Sequence, residues 1–256
     1  MIQQDILSIL EDKIQTVTHL GRTNILAGPI KLPVSLGGET VIFQWYCWMP
    51  VADAAAIVHK EKPDTASLVE QLSSLDLAEK QQSSVLVYGD FANSDEALIR
   101  MHSICHTGDI FGSKRCDCGF QLEQSMKMIA AKGSGALFYL ANHEGRGIGL
   151  FSKAMAYLLQ EKGYDTVEAN LELGFSDDVR NYDDAIGILK SLRRRPVTVI
   201  TNNPKKLEAL KASGMNIAGR IPLWGDVSPF NEKYLRTKII RSGHLGQSKD
   251  RPNESA

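Results

Sequence analysis

Short apolar runs alternate with amphipathic stretches along most of this chain, a pattern typical of strands that alternate with helices. Residues Asp5–His19 carry apolar positions at roughly helical spacing and predict a helix. From Thr23 to Met49, turn residues such as Gly37-Gly38 separate strand-like runs and predict paired strands. Residues 51–84 are rich in small and charged side chains, and we interpret them as a helical insertion that ends in a loop.

Beyond residue 84, strand candidates and helical stretches follow one another closely. The predicted strands are Val85–Tyr88, Ala136–Ala141 and Val197–Ile200, and the predicted helices are Gln121–Lys132, Leu150–Lys162, Asp183–Leu192 and Lys205–Ala212, with Pro204 in the first turn of the last one. This alternation predicts an α+β or α/β fold in which helices flank a mixed β-sheet. We expect an N-terminal extension at 1–84 that packs on the principal domain at 85–245, and a disordered tail at 246–256.

Charge and hydropathy narrow the possible partners. The 256 residues include 29 Lys and Arg against 30 Asp and Glu, a net charge of -1, which gives no overall field for nucleic acid or an anionic membrane. The longest apolar stretches, such as Ala136–Ala141, are far shorter than the roughly 20 residues of a membrane span. The first residues also lack a basic segment followed by an apolar run. We therefore expect a cytoplasmic protein without nucleic-acid or membrane partners, and any polyanion must meet a local cluster of cations.

Three of the four cysteines follow the pattern Cys105-x10-Cys116-x-Cys118. Such crowding in a chain of this size is typical of a metal site in a reducing compartment rather than of a disulfide framework. Three thiolates would leave one position of a zinc ion open, which is the catalytic arrangement. His102 and His106 stand nearby, so a closed structural site with one of them as fourth ligand is an equal alternative on spacing alone.

The short spacing between the last two of these cysteines also predicts the local backbone conformation. Asp117 alone separates Cys116 from Cys118, and an extended segment there would place both sulfurs on one side. Cys47 lies far away in a strand candidate, where we expect an inert core thiol.

Two loops are candidates for phosphate binding. The glycine-rich Glu144–Gly149 follows a predicted strand and leads into a helix, so its N–H groups can approach an anion while Arg146 adds charge. A tight strand–helix turn without a ligand explains the same residues equally well. Thr201–Lys206 is a polar loop with two lysines in the first helical turn, where they oppose the helix dipole unless an anion is present.

Two charged stretches are explained by ordinary structural roles when the residues alone are considered. Ser176–Arg180 combines carboxylates with an arginine, and a helix N-cap with a surface ion pair is the favoured interpretation. Arg193–Arg195, just before Pro196, is expected to be a solvated helix end.

The combination of these motifs resembles the GTP cyclohydrolase II family, the zinc enzymes that open riboflavin biosynthesis. The matching motifs are Arg100–Ser103, Cys105–Asp109, Arg115–Glu123, Glu144–Leu150, Gly163–Asn170 and Thr201–Lys206. The resemblance extends from about Val85 to Leu245, with a weaker echo at Gly28–Trp48. It implies an α+β fold, in which residues 85–245 form the catalytic domain.

The resemblance implies a zinc-dependent hydrolysis of GTP. One zinc ion per subunit, on Cys105, Cys116 and Cys118, would activate water that attacks C8 of guanine and opens the imidazole ring. A second hydrolysis would release formate, and the triphosphate, accompanied by Mg2+, would lose pyrophosphate. The product would be 2,5-diamino-6-(5-phospho-ribosylamino)pyrimidin-4(3H)-one, and the enzyme would be a homodimer.

Residue roles also follow from the resemblance. Tyr157 matches a tyrosine near the base, Asp178 a proton acceptor, and Arg180 a nucleophile on the α-phosphate. Free guanidinium is a poor nucleophile because its pKa exceeds ~12, so an electrostatic role for Arg180 is an open alternative. The positions that match nucleotide contacts are Arg100, Met101, His102, Ser103, Gln121, Glu144, Gly145, Arg146, Thr166, Thr201 and Lys206.

Two departures from the family pattern leave other functions open. Ile104 and His143 stand where the family usually has Glu and Gln. A paralogue with an altered nucleotide substrate or a formylated product is one alternative. A non-catalytic, zinc-stabilised nucleotide-binding protein is another, although the intact Asp178 and Arg180 argue against it. Residues 1–84 are too few for the dihydroxybutanone-phosphate synthase domain often fused to this enzyme.

Overall fold

The computed structural model describes residues 3–51 and 65–246, and these form an eight-stranded sheet flanked by helices. The strands are β1 (Ile14–His19), β2 (Arg22–Leu36), β3 (Glu39–Pro50), β4 (Ser83–Tyr88), β5 (Leu98–Ser103), β6 (Gly135–Leu140), β7 (Val197–Ile200) and β8 (Ile217–Ile221). The helices are α1 (Gln4–Glu11), α2 (Thr65–Gln71), α3 (Cys118–Lys132), α4 (Leu150–Glu161), α5 (Thr166–Glu172), α6 (Asp183–Leu192), α7 (Pro204–Ala212) and α8 (Glu232–Ile240). The predicted α+β fold with a mixed sheet and flanking helices is confirmed.

The sheet has an antiparallel half and a parallel half, in the order β1-β2-β3-β4-β6-β5-β7-β8. Strands β1 to β4 pair antiparallel, and β4 joins β6 in the same sense. Gly37 and Gly38, with φ of +64° and +88°, make the tight turn between β2 and β3 in a conformation that other residues adopt only with strain. Strands β6, β5, β7 and β8 run parallel, which requires the helical crossovers that the sequence supplies.

Helices cover both faces of the central strands. Successive residues of a strand point to opposite faces, so neighbouring apolar residues pack against different helices. Ile99 of β5 packs with Leu189 of α6 on one face. Leu98, its neighbour, packs with Ile129 of α3 on the other face. Burying a side chain of this size stabilises the fold by roughly 1.5–3 kcal/mol. The two layers hold β5 rigidly, and this strand leads directly into the cysteine cluster.

Most predicted elements are confirmed, but the predicted helix at Asp5–His19 is wrong in its second half. Helix α1 ends at Glu11, and Ile14–His19 forms β1, which pairs with β2. The β-branched residues here favour a strand, and burial of Val17 in the core outweighs the helical spacing. Strands β5 and β8 and helices α5 and α8 were not predicted.

The predicted domain limits remain predictions. Strands β1–β3 continue the same sheet as β4–β8 across residue 84. Within the predicted helical insertion, α2 is present, while residues 52–64 lie outside the described residues, as do 247–256 of the predicted tail. None of the helices in 3–51 and 65–246 combines the length and the apolar content that a membrane span requires.

Candidate active site

A cavity opens where the parallel strands end. Strands β5, β6 and β7 finish at Ser103, Leu140 and Ile200, and ligand sites in sheets of this kind form at the carboxyl ends of parallel strands. The predicted site residues that line the cavity are Arg100, His102, Ser103, Cys105, Cys116, Cys118, Gln121, Glu144, Gly145, Arg146, Tyr157, Thr166, Arg180, Thr201 and Lys206. Asp178 is held against this wall by Arg180, and the Met101 side chain points into the core instead.

The three cysteines converge on one point, with their Sγ atoms within 4.8 Å of one another. Cys105 precedes the turn His106–Ile110, and Cys118 begins α3. Gly108 lets this turn lie against the sulfurs, because a Cβ there would be 2.8 Å from Cys116 Sγ and 3.1 Å from Cys105 Sγ. The expected extended segment is wrong: Asp117 has φ -103° and ψ 14° as the N-cap of α3, so a turn brings the sulfurs together.

The charge state of the cluster suits a divalent cation. Hydrogen bonds from the two neighbouring thiols lower the pKa of Cys105, and Lys153 Nζ lies 3.2 Å from its sulfur. That first negative charge raises the pKa of Cys116 to about 11, chiefly through its hydrogen bond to Cys105. A cation removes this repulsion, because thiolate is the form that binds zinc. The donor set therefore fits zinc.

Neither nearby histidine joins the cluster. Among the described residues, the metal-ligating side chains that converge here are the three cysteines. His102 Nε2 instead donates to Asp109, 3.1 Å away, and its ring stacks on Tyr139. His106 donates its backbone N–H to Glu144 Oε2 at 2.6 Å. The geometry favours three protein ligands and an open position over the closed structural site.

The glycine-rich turn brings a second loop to the cavity. Arg146 has φ +69° between Gly145 and Gly147, and a non-glycine residue in this region stores about 1–3 kcal/mol of strain. A Cβ at Gly147 would lie 2.7 Å from Val179, so only glycine allows this approach. The Val179 N–H then donates to the Arg146 carbonyl oxygen at 3.2 Å. This contact places Arg180 at the cavity wall.

The expected surface ion pair in this loop is wrong, because Asp178 and Arg180 form a largely buried, two-pronged pair. The Arg180 Nε and Nη2 atoms donate to the two carboxylate oxygens of Asp178 at 2.8 and 2.6 Å, and both side chains are 12% exposed. Burial opposes ionisation of Asp178, but the hydrogen bonds and charge of Arg180 outweigh it and lower its pKa to about 2. Burial also acts against the charged guanidinium, yet nearby Tyr182 and Asp178 raise the pKa of Arg180 overall. Both groups are therefore charged at neutral pH.

A hydrogen-bond chain holds Arg180 from its other side. Its Nη1 donates to Ser103 Oγ at 3.3 Å, and Ser103 lies 3.2 Å from His143 Nδ1. His143 Nε2 donates to the carbonyl oxygen of Asn181 at 2.8 Å, which leaves Nδ1 as an acceptor for the serine hydroxyl. Burial lowers the pKa of His143 to about 4, so the ring is neutral and the chain has one direction.

Further cations face the same cavity. Arg100 donates to Gln121 Oε1 at 2.7 Å, and Lys206 Nζ donates to the Met101 carbonyl oxygen at 2.6 Å. Burial lowers the pKa of Lys206 well below its usual value, and the charges of Arg180 and Arg100 lower it further. Cations packed so closely repel one another, and a polyanion would relieve that repulsion.

Several cavity residues had no signal in the sequence. Lys153 of α4 bridges Cys105 and Glu144, with its Nζ 2.6 Å from Glu144 Oε1. The Arg115 guanidinium stacks over the Tyr157 ring at 4.3 Å. The region after β8 adds four more lining residues: Trp224, Tyr234, Lys238 and His244. Their partners are distant in sequence, so spacing could not reveal them.

Comparison with known proteins identifies the family. The model of the GTP cyclohydrolase II family matches residues 72–222, which is more than half of the chain. The chain is 48% identical to GTP cyclohydrolase-2 of Klebsiella pneumoniae over 174 residues, which cover 68% of this chain and 86% of that protein. It is 51% identical to the riboflavin biosynthesis protein RibBA of Bacillus subtilis over 160 residues, or 62% of this chain and 40% of that protein.

A third relative has the same pattern: RibBA of Salinispora tropica is 49% identical over 160 residues, covering 62% of this chain. The chain spans about two fifths of the length of these RibBA proteins, 40% in both. The family expected from the motifs is confirmed: this chain belongs to the GTP cyclohydrolase II family.

Proposed function

We propose that this protein hydrolyses GTP to 2,5-diamino-6-(5-phospho-ribosylamino)pyrimidin-4(3H)-one, formate and pyrophosphate, as the first step of riboflavin biosynthesis. The observation that carries this proposal is the convergence of three thiols and several buried cations in one cavity. A purine nucleoside triphosphate needs both, because its ring must be opened by water and its phosphates must be neutralised.

The cysteine cluster would hold one zinc ion per subunit on Cys105, Cys116 and Cys118. When bound, zinc supplies Lewis acidity that makes water reactive towards C8 of guanine at neutral pH. Lys153 holds the Cys105 sulfur and Glu144 in fixed positions. Tyr157, oriented by the Thr107 hydroxyl 3.3 Å away, would stand beside the opened ring to assist formate release.

The cations of the cavity would receive the triphosphate together with Mg2+. Arg100, Arg146, Arg180 and Lys206 line the same space. Gln121, Thr166 and Thr201 would orient the nucleotide by hydrogen bonds, and His102 and Ser103 would do so from the end of β5. Binding would be favourable because each buried cation exchanges repulsion for an ion pair.

We further propose that Arg180 acts electrostatically at the α-phosphate. Three of its five N–H groups donate to Asp178 and Ser103, and its pKa is raised. A guanidinium that keeps its proton has no free lone pair for attack, whereas a fixed positive charge stabilises the negative charge that develops as pyrophosphate leaves. Water would attack the α-phosphorus as the bond to pyrophosphate breaks, and Asp178 would hold Arg180 in this orientation and accept the proton of that water.

Incubation of the zinc-loaded protein with GTP and Mg2+ tests the function directly. We expect equal amounts of formate and pyrophosphate, and the mass of the deformylated pyrimidine. Absence of both small products would contradict the proposal. ATP in place of GTP is the matched control, since it carries the same triphosphate on a different base.

One alternative has specific support within the cavity. Ile104 and His143 both line it, and they replace the polar Glu and Gln that the family usually carries. Loss of a buried polar contact costs about 1–3 kcal/mol, which would weaken recognition of guanine or change the product. Recovery of a formylated pyrimidine, or turnover of another nucleotide in preference to GTP, would support this paralogue.

We also propose a homodimer in the cytoplasm. Helix α4 exposes Phe151 (80%) and Leu158 (65%) at a spacing that puts them on one face. A second copy of the chain would cover this face, and Phe151→Asp should convert a dimer to a monomer in light scattering. Reduced thiols at the site favour the cytoplasm, where disulfides are rare.

A further inference from the structure

The segment after β8 forms one wall of the cavity, although the family match ends at residue 222. Asn202 holds both ends of this segment. Its side-chain amide exchanges hydrogen bonds with the backbone of Leu223, at 2.7 and 3.1 Å, and its carbonyl oxygen accepts the N–H of Leu245 at 2.9 Å. Helix α8 is thereby fixed over the cysteine cluster.

Lys238 of α8 forms a buried ion pair with Asp117. The Lys238 Nζ lies 2.7 Å from Asp117 Oδ1, and the two side chains are 12% and 0% exposed. Gly225 permits this packing, because a Cβ there would lie 2.7 Å from Asp117 Cβ. Asp117 is the one residue between Cys116 and Cys118, so this ion pair anchors the turn that carries both cysteines.

The second oxygen of Asp117 continues the contact towards Arg100. Asp117 Oδ2 accepts a hydrogen bond from Gln121 Nε2 at 2.6 Å, and Gln121 Oε1 accepts one from Arg100 at 2.7 Å. A continuous chain therefore runs from Lys238 through Asp117 and Gln121 to Arg100. It joins the C-terminal helix to the cysteines and to a cation of the cavity.

A third contact of α8 reaches the sulfur of Cys118 directly. The Tyr234 hydroxyl lies 4.0 Å from Cys118 Sγ, and the Lys238 ammonium lies over the Tyr234 ring at 4.4 Å. Lys238 thus fixes both the carboxylate between the cysteines and the aromatic ring beside one of them.

We propose that Lys238 is a positioning residue for the metal-binding cysteines and for Arg100, and that it acts through Asp117. The proposal rests on the proposed function for the identity of the metal and the nucleotide. Groups that orient metal ligands typically change metal affinity about 10–100-fold when they are removed. Removing one partner of a buried pair also leaves an uncompensated charge, which removal of both partners avoids.

Zinc release under a chelator tests the proposal without any GTP. Zinc-loaded full-length wild type, Lys238→Met, Asp117→Asn and the double variant are compared. Each single variant should release zinc at least about 10-fold faster, and the double variant no faster than the worse single one. Lys238→Arg should restore slow release, and Arg236→Met, which removes an exposed cation from the same helix, should match wild type.

Two results would overturn the proposal: wild-type release rates in both single variants, or effects that multiply in the double variant. Should Lys238→Met fail to fold in a thermal scan, Asp117→Asn and Lys238→Arg carry the same comparison. Calorimetric binding of a non-hydrolysable GTP analogue gives a second readout, in which Asp117→Asn, a change at a buried side chain that is not part of the cavity lining, should weaken binding about 10-fold through Gln121 and Arg100. If wild type releases no formate from GTP while zinc release shows the coupled pattern, the proposed function fails and the positioning role stands.

Discussion

The two halves of the sheet differ in what they do for the protein. Among the described residues, no residue before Arg100 lines the cavity, so the antiparallel strands β1–β4 contribute nothing to its wall. The parallel strands β5, β6 and β7 all deliver their following loops to one edge. Antiparallel strands end alternately at opposite edges and cannot gather loops in this way. Strand direction, rather than composition, decides which half can carry the site.

The halves also differ in the energy that they store. The parallel half, which carries the cavity, buries mutually repelling cations and holds Arg146 in a left-handed conformation. The antiparallel half buries apolar side chains such as Leu26 and Phe43 completely. We therefore expect substitutions in the two halves to separate function from stability, and the following predictions run from the largest effect to the smallest.

The cysteine cluster should show the largest effect. Cys116→Ser removes one of three thiolates, so the protein should retain no zinc and release no detectable formate from GTP. Zinc content and formate are measured on the same sample. Cys47→Ser is the matched control, because Cys47 lies on β3 and its thiol donates to the Ser83 carbonyl oxygen at 3.5 Å. Formate release by a zinc-free Cys116→Ser protein would contradict the assignment.

Loss of the two-pronged pair at Arg180 should come next. Arg180→Lys keeps a positive charge but cannot donate two parallel hydrogen bonds to Asp178. We expect kcat for pyrophosphate release to fall about 10²–10³-fold, with zinc content unchanged. Arg195→Lys is the control, since Arg195 pairs with Asp95 at the exposed surface. A wild-type rate in Arg180→Lys would show that the fixed guanidinium is not needed.

The antiparallel half should respond in stability alone. Leu26 of β2 is 0% exposed, and Leu26→Ala should lower the free energy of unfolding by about 2–5 kcal/mol. Ile42→Ala, on β3 and 56% exposed, should change it by less than about 0.5 kcal/mol. Chemical denaturation measures both. The folded Leu26→Ala protein should still bind zinc fully, and loss of zinc would show that the halves are coupled.

The sequence predicted the parts of this fold that depend on local pattern. Helix α6 has the predicted bounds, Asp183–Leu192, because its apolar spacing matches the face that it buries. The cysteines were recognised because three thiols crowd into one short stretch. In both cases the side chains that interact are close in the sequence, so the pattern contains the information.

The missed parts depend on partners that are distant in the sequence. Strand β5 escaped prediction because it carries Arg100 and His102, which are buried only because Gln121 and Asp109 receive them. Arg193 was expected to be solvated, and this is wrong: it is 1% exposed and donates to carbonyl oxygens of the loop at Phe91–Asp95. Lys238 likewise gives no local sign of its pairing with Asp117.

The last predicted effect is the contribution of one buried side chain of the parallel half, His143, to the pH dependence of stability. The folded-state pKa of His143 is lowered to about 4, whereas the unfolded chain titrates near 6.5. Between these values the unfolded chain binds a proton that the folded protein refuses, so stability is present above about 6.5 and declines as the pH falls towards 4. At pH 5 this group should lower the free energy of unfolding by about 2 kcal/mol relative to pH 7.

His143→Gln keeps a donor and an acceptor for Asn181 and Ser103 but cannot take up the proton, so the difference in unfolding free energy between pH 7 and pH 5 should shrink by that amount. His244, with its pKa lowered to about 3 mainly by burial, has the same sign and should retain its own share in this variant. An unchanged pH dependence in His143→Gln would show that other groups cause the acid sensitivity. The hydrogen-bond chain from His143 through Ser103 to Arg180 would then not depend on a neutral imidazole.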